Sequence, residues 1–381
     1  MSRFFSVLIR RIKSRKKEQK LLKQFHTWKN TLHLQKNNNS SNKILIIRLD
    51  DIGDYILFRN FLGYYKNAER WKNYSFTLLG NIVWKELFEK FDKDKVDLVI
   101  WIDKKQYLTN ESYREKIWSE LNEKKFAVVI CPSRTRPLLL DDLCAIATGA
   151  KTMIAAENNF VYDSWNQLSN SFYNELFPAD NLTHEFNFNR SFAEWCCKQN
   201  ISITKPEINI DKSETANIIC FIGASAKSKR WIAQRWIELI NMIKKENKYN
   251  IFVAGGNSDV IMAEKIVADT GVNNIAGKTS LNEMIEMIAN AKAIITNDTM
   301  ATHAAVACNT PLIILANGNN YYRFTDYSSF NLQNVITMYP ERFSKKLKDQ
   351  KNNLLHYEAV SSDIQTISAE AVYKSLQKIL S

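Results

Sequence analysis

The sequence has no run of apolar residues long enough to cross a membrane. A transmembrane helix needs about 20 predominantly apolar residues, and charged side chains interrupt every apolar stretch of these 381 residues well before that length. The apolar residues near the start are followed by arginines and by no small-residue cleavage site, so we predict no signal peptide. The length and composition predict a globular protein of about two domains.

Glycine and paired cysteines are also scarce. The ten glycines fall below the roughly 7% of an average protein. Five of them follow predicted strands, where glycine permits a tight turn or the close approach of a ligand: Gly53, Gly80, Gly223, Gly255 and Gly256. The six cysteines form no Cys-x-x-Cys pair and no zinc-type spacing with histidine, which predicts reduced thiols and no metal site.

Acidic residues are almost absent from the first part of the chain. Residues 1–43 hold twelve of the 52 lysines and arginines but only one of the 40 acidic residues, so nearly all of the net charge of +12 lies there. We define residues 1–42 as the arm, a basic segment that ends in an asparagine-rich stretch, 37–42, typical of a flexible linker. The rest of the chain is close to neutral.

The arm begins with the pattern of a basic amphipathic helix. On a helical wheel its apolar side is formed by Phe4, Phe5, Leu8, Ile9 and Ile12, and its basic side by Arg3, Arg10, Lys13 and Lys17. Such a helix can lie in the headgroup layer of an anionic membrane, and we predict this role for residues 1–40. A structural helix packed on the body is the main alternative. Binding to nucleic acid is disfavoured, because the body has no second basic patch with interleaved aromatic residues.

Beyond the arm, short apolar strands alternate with helical patterns. The predicted strands are Ile44–Leu49, Phe76–Leu79, Leu98–Ile102, Phe126–Cys131, Ile218–Ile222, Ile251–Ala254, Ala293–Thr296 and Leu312–Leu315. The predicted helices lie near 54–66, 82–91, 111–123, 232–246, 258–270, 281–290 and 299–308. This alternation indicates buried parallel sheets. It weakens between about 156 and 215, so we predict two doubly wound α/β domains, 43–200 and 215–381, with ligands at the carboxyl ends of the strands.

The first segment whose residues could take part in catalysis follows the first predicted strand. In Arg48-Leu-Asp-Asp-Ile-Gly-Asp54 the strand ends, the chain turns at Gly53, and a helix starts at Asp54. A carboxylate at a helix N-terminus is stabilised as an anion, and it can accept a proton from an attacking hydroxyl. A helix-capping role for Asp54 is the alternative, and Asp50 and Asp51 are competing carboxylates.

The second segment, Phe221-Ile-Gly-Ala-Ser225-Ala-Lys-Ser-Lys229-Arg-Trp231, is a small-residue turn followed by cations. It lacks the spacing of a Walker A loop. It still offers a hydroxyl, backbone N–H groups and cationic side chains to the oxygens of a phosphate. A solvated basic turn is the alternative.

The third segment joins a strand to a helix through Asn297-Asp-Thr-Met-Ala-Thr-His303. The N–H groups of a helix that opens at Thr299 would attract a diphosphate, and Asp298 could bind sugar hydroxyls. His303 lies one turn inside the helix, where a single histidine is more often structural than catalytic.

Together, the three segments resemble glycosyltransferase family 9, which includes the ADP-heptose:lipopolysaccharide heptosyltransferases. Members of that family carry Gly-Asp at a helix start, a small-residue turn followed by Lys-x-Trp, and Asp-Thr-x-x-x-His, in the order found here. Thr310-Pro311 and the last helix, at Ile367-Ser-Ala-Glu-Ala-Val372, also fit the family. The resemblance extends over about 44–375.

The resemblance implies a GT-B fold, in which two Rossmann-like domains face a cleft, and an inverting, metal-independent sugar transfer. It makes Asp54 the general base on the acceptor hydroxyl. The donor-binding residues that it implies are Gly223, Ala224, Ser225, Lys229, Asn257, Asp298, Thr299, Met300 and His303. The donor would be a nucleotide sugar, ADP-heptose first, with no other cofactor. The acceptor would be a lipid-linked saccharide, and the enzyme would lie in the cytoplasm at the inner face of the inner membrane.

The sequence departs from the family at three places. Met300 replaces a usual glycine, Phe58-Arg-Asn60 replaces a usual Thr-x-Pro, and the acidic residue expected after the Gly-Gly turn has only Asn257 and Asp259 as candidates. These departures leave the donor sugar open. A GT-B transferase with a different nucleotide sugar, and a non-catalytic membrane-associated scaffold on the same fold, therefore remain alternatives.

Overall fold

The computed structural model describes residues 2–32, 41–158, 162–178, 183–349 and 362–381. They form two compact units, each with its own sheet. Unit 1 comprises Met1–Asp51, Phe61–Ala179 and Asn189–Ile201, and unit 2 comprises Ile52–Asn60, Asp180–Phe188 and Ser202–Ser381. The segment that carries Asp54 thus belongs to unit 2, although the sequence-based boundaries place it in the N-terminal domain.

Unit 1 is built on six parallel strands. They are β1 (Lys43–Arg48), β2 (Ser75–Asn81), β3 (Leu98–Ile102), β4 (Val128–Cys131), β5 (Thr152–Ala156) and β6 (Glu175–Phe177). Their order, β3-β2-β1-β4-β5-β6, is the doubly wound order of a Rossmann-type sheet. The first nine helices are α1 (Ser2–Asn30), α2 (Ile52–Phe58), α3 (Leu62–Asn67), α4 (Lys85–Phe91), α5 (Lys104–Thr109), α6 (Glu111–Glu123), α7 (Leu143–Ala147), α8 (Asp163–Asn170) and α9 (Glu185–Cys197). Of these, α2 lies in unit 2, and α9 begins in unit 2 and ends in unit 1.

Unit 2 repeats the same arrangement. Its strands are β7 (Asn217–Phe221), β8 (Asn250–Ala254), β9 (Asn273–Asn274), β10 (Ala293–Asn297), β11 (Leu312–Leu315) and β12 (Val335–Met338), in the order β12-β11-β10-β7-β8-β9. Its further helices are α10 (Ala233–Lys244), α11 (Val260–Thr270), α12 (Leu281–Asn290), α13 (Met300–Ala307), α14 (Glu341–Asp349) and α15 (Ala369–Leu380). The predicted GT-B class, with two Rossmann-like α/β domains, is confirmed at the level of these two parallel sheets.

The structure corrects several sequence-based details. The predicted helix over 54–66 is two helices, α2 and α3, which are separated by a single 3-10 turn at Arg59–Phe61. Gly80 lies inside β2 rather than after it, and a Cβ there would be 2.4 Å from the Trp84 ring and 2.8 Å from the Trp101 ring. This glycine therefore makes room for aromatic side chains. The weakly patterned region contains α8, β6 and α9.

The described part of the arm is the long helix α1, and its second half packs on unit 1. Phe25 is fully buried among the core residues of unit 1, and the Arg114 guanidinium lies 3.7 Å from the ring centroid of Trp28. The packing alternative thus applies to this half of the arm. The side chains of residues 2–14, including the predicted amphipathic pattern up to Lys13, and the linker residues 37–40 lie outside the described residues.

Two further sequence-based expectations concern cysteines and membrane spans. The six cysteines are free thiols and buried, in agreement with the prediction. No helix in the described ranges is long and apolar enough to span a bilayer.

Candidate functional site

A pocket of about 690 Å³ lies in unit 2 at the carboxyl ends of the strands. The order of the second sheet reverses between β7 and β10, which is where doubly wound proteins bind ligands. Three loops and one helix start supply much of the lining: Gly223, Ala224, Ser225, Gly255, Gly256, Asn257, Asp259, Gly277, Thr279, Thr299 and Met300. The pocket thus brings together six of the nine predicted donor-binding residues.

Asn297 fixes the loop that follows β7. Its side-chain amide donates hydrogen bonds to the carbonyls of Ile222 (2.8 Å) and Gly223 (3.1 Å), and its oxygen accepts from the backbone N–H of Trp231 (3.3 Å). The residue is fully buried. Because unsatisfied polar groups are costly in such surroundings, these three bonds hold the β7 and β10 loops in one mutual arrangement.

Lys229 and Asp298 form an ion pair, and neither lines the pocket. Both side chains are close to fully buried, with 11% and 6% exposure. Asp298 directly precedes Thr299, whose hydroxyl caps α13 by accepting a hydrogen bond from the N–H of Ala301 (3.2 Å). The predicted helix start at Thr299 is therefore present, and the next residue, Met300, lines the pocket.

Asp259 explains two of the glycines. A Cβ on Gly223 would lie 2.1 Å from its Oδ2 atom, and a Cβ on Gly255 would lie 2.8 Å from its Cβ atom. The carboxylate also accepts a hydrogen bond from the N–H of Gly256 (2.9 Å). Both glycines are thus required by the close approach of a buried aspartate, in addition to any approach of a ligand.

Arg230 connects Asp259 to the loop after β7. Its Nε atom donates to the carbonyl of Ala224 (2.8 Å), and its Nη1 atom lies 3.6 Å from Asp259 Oδ1. Asn257 and Asp259 both line the pocket, and Asp259 is the one that is tied into this network.

His303 is buried on α13 and bonded to a tyrosine. Its Nδ1 atom lies 2.7 Å from the Tyr327 hydroxyl, and burial lowers the pKa of His303 to about 4. The imidazole is therefore neutral at physiological pH. A Cβ on Gly53 would lie 2.8 Å from the His303 ring, so Gly53 permits the start of α2 to pack against α13.

Asp54 lies in the first turn of α2 beside an arginine. The Nη2 atom of Arg323 is 3.8 Å from Asp54 Oδ1, and its Nε atom donates to Glu185 Oε2 at 2.8 Å. The Glu185 side chain has no exposed surface, whereas that of Asp54 is 22% exposed.

The two competing carboxylates are engaged elsewhere, in unit 1. Asp50 pairs with the fully buried Arg48 at 2.8 Å. Asp51 is largely exposed and pairs with Lys104. Asp54 is consequently the one of the three that shares a unit with the pocket.

The family model of glycosyltransferase family 9 (heptosyltransferase) matches residues 177–354, which include every residue that lines the pocket except Ile52. In that part, a little less than half of its length, the chain resembles the heptosyltransferases of glycosyltransferase family 9. The match agrees with the family that the three sequence segments predict, and it supports the predicted glycosyltransferase class.

Two curated heptosyltransferases align with different lengths of this chain. The lipopolysaccharide core heptosyltransferase OpsX of Haemophilus influenzae is 28% identical over 141 residues, which are 36% of this chain and 40% of that protein. The chain thus spans about two-fifths of the length of this relative. Lipopolysaccharide heptosyltransferase 1 of Campylobacter coli is 24% identical over 375 residues, with 88% of this chain and 98% of that protein covered.

A solved structure extends the comparison to the fold. The family 9 glycosyl transferase of Veillonella parvula DSM 2008 has a TM-score of 0.68 and 20% sequence identity, with 89% of this chain and 97% of that chain covered. At this identity the likeness concerns the fold, and it agrees with two Rossmann-like units.

Sequence reasoning missed three residues near the family 9 motifs. Arg323 and Tyr327 lie in the segment after β11, and the rule that ligands bind at carboxyl ends of strands would have drawn attention to it. Glu185 had no local signal, because it lies in the weakly patterned region between the two alternating series. The roles of Asn297 and Arg230 were also missed, although both residues stand inside the quoted motifs.

Proposed function

We propose that this protein is an inverting glycosyltransferase that moves a sugar, with heptose as the first candidate, from a nucleoside-diphosphate donor to a hydroxyl of a lipid-linked saccharide. The reaction would extend a lipopolysaccharide core or a related surface glycan. The observation that carries the proposal is the pocket at the β7–β10 switch point. It is lined by motif residues, and all of its lining except Ile52 belongs to the region matched by the family model.

The pocket has the groups that a departing diphosphate requires. Ser225 offers a hydroxyl, and the positive end of α13 begins at Met300. Negative charge develops on the diphosphate as its bond to the sugar breaks, and fixed positive groups that face this charge lower the barrier. We assign the same purpose to Lys229, with Asp298 holding its ammonium group in place. In this proposal, protein groups supply the neutralisation and no metal takes part.

The proposed general base is Asp54. The acceptor oxygen would attack the anomeric carbon of the donor while its proton passes to the Asp54 carboxylate. The bond between the anomeric carbon and the diphosphate oxygen breaks, and its electron pair leaves with the nucleoside diphosphate. Attack from the face opposite the leaving group inverts the anomeric centre. A positioned carboxylate base contributes about 10²–10⁴-fold to such a step.

The test is turnover of an Asp54→Asn variant. We expect kcat for release of ADP from ADP-heptose, with lipopolysaccharide of truncated core as acceptor, to fall about 10²–10⁴-fold. Mass spectrometry would show whether the wild-type acceptor gains one heptosyl residue. Asp51→Asn is the matched control, because Asp51 is exposed and paired in unit 1. Full activity of Asp54→Asn would remove Asp54 from the reaction.

A different nucleotide sugar is the second candidate, and Met300 favours it. Met300 lines the pocket at a position where the family usually has glycine, and a side chain at that position would leave less space for the donor sugar. Calorimetric titration with ADP-heptose, ADP, UDP-sugars and GDP-sugars separates the candidates. Binding of ADP compounds alone supports heptose transfer, and preference for UDP or GDP compounds supports the second candidate. Binding of none would favour the scaffold.

We further propose that the arm binds an anionic membrane surface and keeps the enzyme near a lipid-linked acceptor. The described half of α1 supports this, because it exposes cations along a helix that is held on unit 1 through Phe25. The exposed cations are Arg15, Lys16, Lys17, Lys20, Lys23 and Lys29. Each cation near such a surface contributes about 1 kcal/mol to binding.

A further inference from the structure

We infer that Arg323 is a positioning residue for Asp54, and that the buried Glu185 holds Arg323 in this role. The inference rests on the proposed function, in which Asp54 accepts the proton of the acceptor. It adds two residues that lie outside the three sequence motifs and outside the pocket lining. The observation behind it is one guanidinium group that faces two carboxylates of unit 2.

Contacts with Glu185 and Phe324 hold the guanidinium. Its Nε atom donates to Glu185 Oε2 at 2.8 Å, and its central carbon lies 4.6 Å from the centroid of the Phe324 ring. Its Nη2 atom then lies 3.8 Å from Asp54 Oδ1. Arginine presents its donors in a rigid planar fork. Because Glu185 holds one edge of that fork, the direction of the edge that faces Asp54 is determined as well.

The distance to Asp54 distinguishes positioning from simple pairing. A charge-assisted N–H···O bond measures about 2.7–2.9 Å, and the 3.8 Å separation from Arg323 exceeds it. Arg323 therefore attracts the carboxylate without a direct hydrogen bond in this state. Glu185 takes the short bond instead. An arginine that bonded Asp54 directly would compete with the acceptor hydroxyl for the same oxygen.

The charges on the neighbouring elements fit this role. Glu185 opens α9 and is fully buried, so its negative charge needs Arg323 as a partner. On α13, which packs against the start of α2 at Gly53, the buried His303 is bonded to Tyr327. Without Arg323, the carboxylates of Asp54 and Glu185 would lose the cation that both of them face, and like charges repel.

The test compares three single variants in the ADP-release assay with ADP-heptose. Arg323→Gln removes the charge, and we expect kcat to fall about 10–10²-fold, in line with the cost of misplacing a reacting group, while the KM for ADP-heptose stays constant. Arg323→Lys keeps the charge but loses the fork, so it should recover part of kcat. Glu185→Gln still offers an oxygen to Arg323, and we expect a smaller loss of kcat.

A double-mutant cycle identifies the partner through which Arg323 acts. If Arg323 acts through Asp54, then Arg323→Gln should have no further effect in an Asp54→Asn background. Arg235→Gln is the matched control, because Arg235 forms an Arg–Glu pair with Glu238 at 3.0 Å on α10, away from Asp54. Calorimetric binding of ADP verifies that each variant is folded, since neither Arg323 nor Glu185 lines the pocket.

The outcomes separate the two claims. If the wild type turns over ADP-heptose and Arg323→Gln has the same kcat as the wild type, this inference is wrong but the proposed function stands. An equal loss from Arg323→Gln with and without Asp54, or a rise confined to KM, would also overturn it, because Arg323 would then act on a substrate. A wild-type protein that releases no ADP from any donor would overturn the proposed function and this inference with it.

Discussion

At the scale of single residues, the site depends on small side chains and on one neutral histidine. Gly53 precedes Asp54, and its lack of a side chain lets α2 approach the His303 ring. His303 in turn bonds Tyr327. The Gly-Asp pair at the start of α2 therefore combines a packing requirement with a candidate base. Substitution of Gly53 would disturb the packing of α2 against His303, and substitution of Asp54 would remove the candidate base.

The buried His303 predicts a stability change with pH. Burial lowers its pKa to about 4 from an ordinary value of 6.5, so the unfolded chain takes up this proton before the native protein does. Stability should decrease as pH falls from about 6.5 to about 4, by up to about 3 kcal/mol. Urea unfolding of wild type and His303→Gln at about pH 7.5 and about pH 5 measures the difference.

The pH experiment has an internal control. His26 is exposed on α1, so His26→Gln should retain the wild-type loss of stability between the two pH values. His303→Gln should lose less stability than the wild type over the same interval. Equal losses in all three proteins would contradict a neutral, buried His303.

Most residues of the candidate site could be predicted from the sequence because they stand next to strand ends. Six of the nine predicted donor-binding residues line one pocket, since parallel strands bring their following loops to one edge of a sheet. Lys229 and Asp298 could be named but not paired, because the pair joins loops about 70 residues apart. Glu185 needed the tertiary fold, since Arg323, which donates a hydrogen bond to it, lies 138 residues away in the chain.

At the scale of elements, α1 has two roles along its length. Its second half is anchored on unit 1 through Phe25 and through the stacking of Arg114 on Trp28. The lysines of this half are exposed, although the Lys29 ammonium also lies 5.0 Å from the centroid of the Phe172 ring, which contacts Phe25. A deletion of the whole arm would therefore remove a buried core residue as well as charges, and it would not report on membrane binding alone.

We predict that charge removal on α1 weakens membrane binding without unfolding unit 1. Lys16, Lys17 and Lys20 are exposed, and their joint replacement by glutamine should cost about 3 kcal/mol of binding, at about 1 kcal/mol per cation. Sedimentation with vesicles that contain anionic lipid measures the loss. Replacement of Lys244, Lys245 and Lys248, which lie at or after the end of α10, is the control. Equal sedimentation of wild type and the α1 variant would refute the role of this surface.

Strands and helices could be predicted where the apolar runs in the sequence are continuous. They were missed where tertiary packing determines the local structure. Leu98–Ile102 and Leu312–Leu315 form the predicted strands with unchanged bounds. The two-residue strand β9 consists of asparagines, which are depleted in strands, so only its neighbour β8 defines it. The break between α2 and α3 coincides with a contact between distant parts of the chain. The side chains of Arg59 and Asn60 both donate to the Glu207 carbonyl, and the local helical pattern does not contain this contact.

At the scale of the whole molecule, each unit has its own sheet and its own apolar core. A nucleotide that binds the pocket should therefore stabilise unit 2 in particular, because binding to the native state alone contributes about 2.7 kcal/mol at 100 times Kd. We predict that ADP slows hydrogen exchange in the loops after β7 and β8, with no equivalent change in the loop after β3. Inorganic phosphate at the same concentration is the control ligand. Equal protection in both units would contradict a site confined to unit 2.

The docking of α1 also bears on how the protein behaves when it is cut. A chain shortened to begin at Lys43 would uncover the apolar surface that Phe25 and the neighbouring Leu21, Leu22 and Trp28 occupy. Bare surfaces of this kind promote self-association. Loss of solubility after proteolytic removal of α1 would then reflect exposed apolar surface on unit 1. A shortened protein that aggregates could be mistaken for one that has lost its catalytic fold.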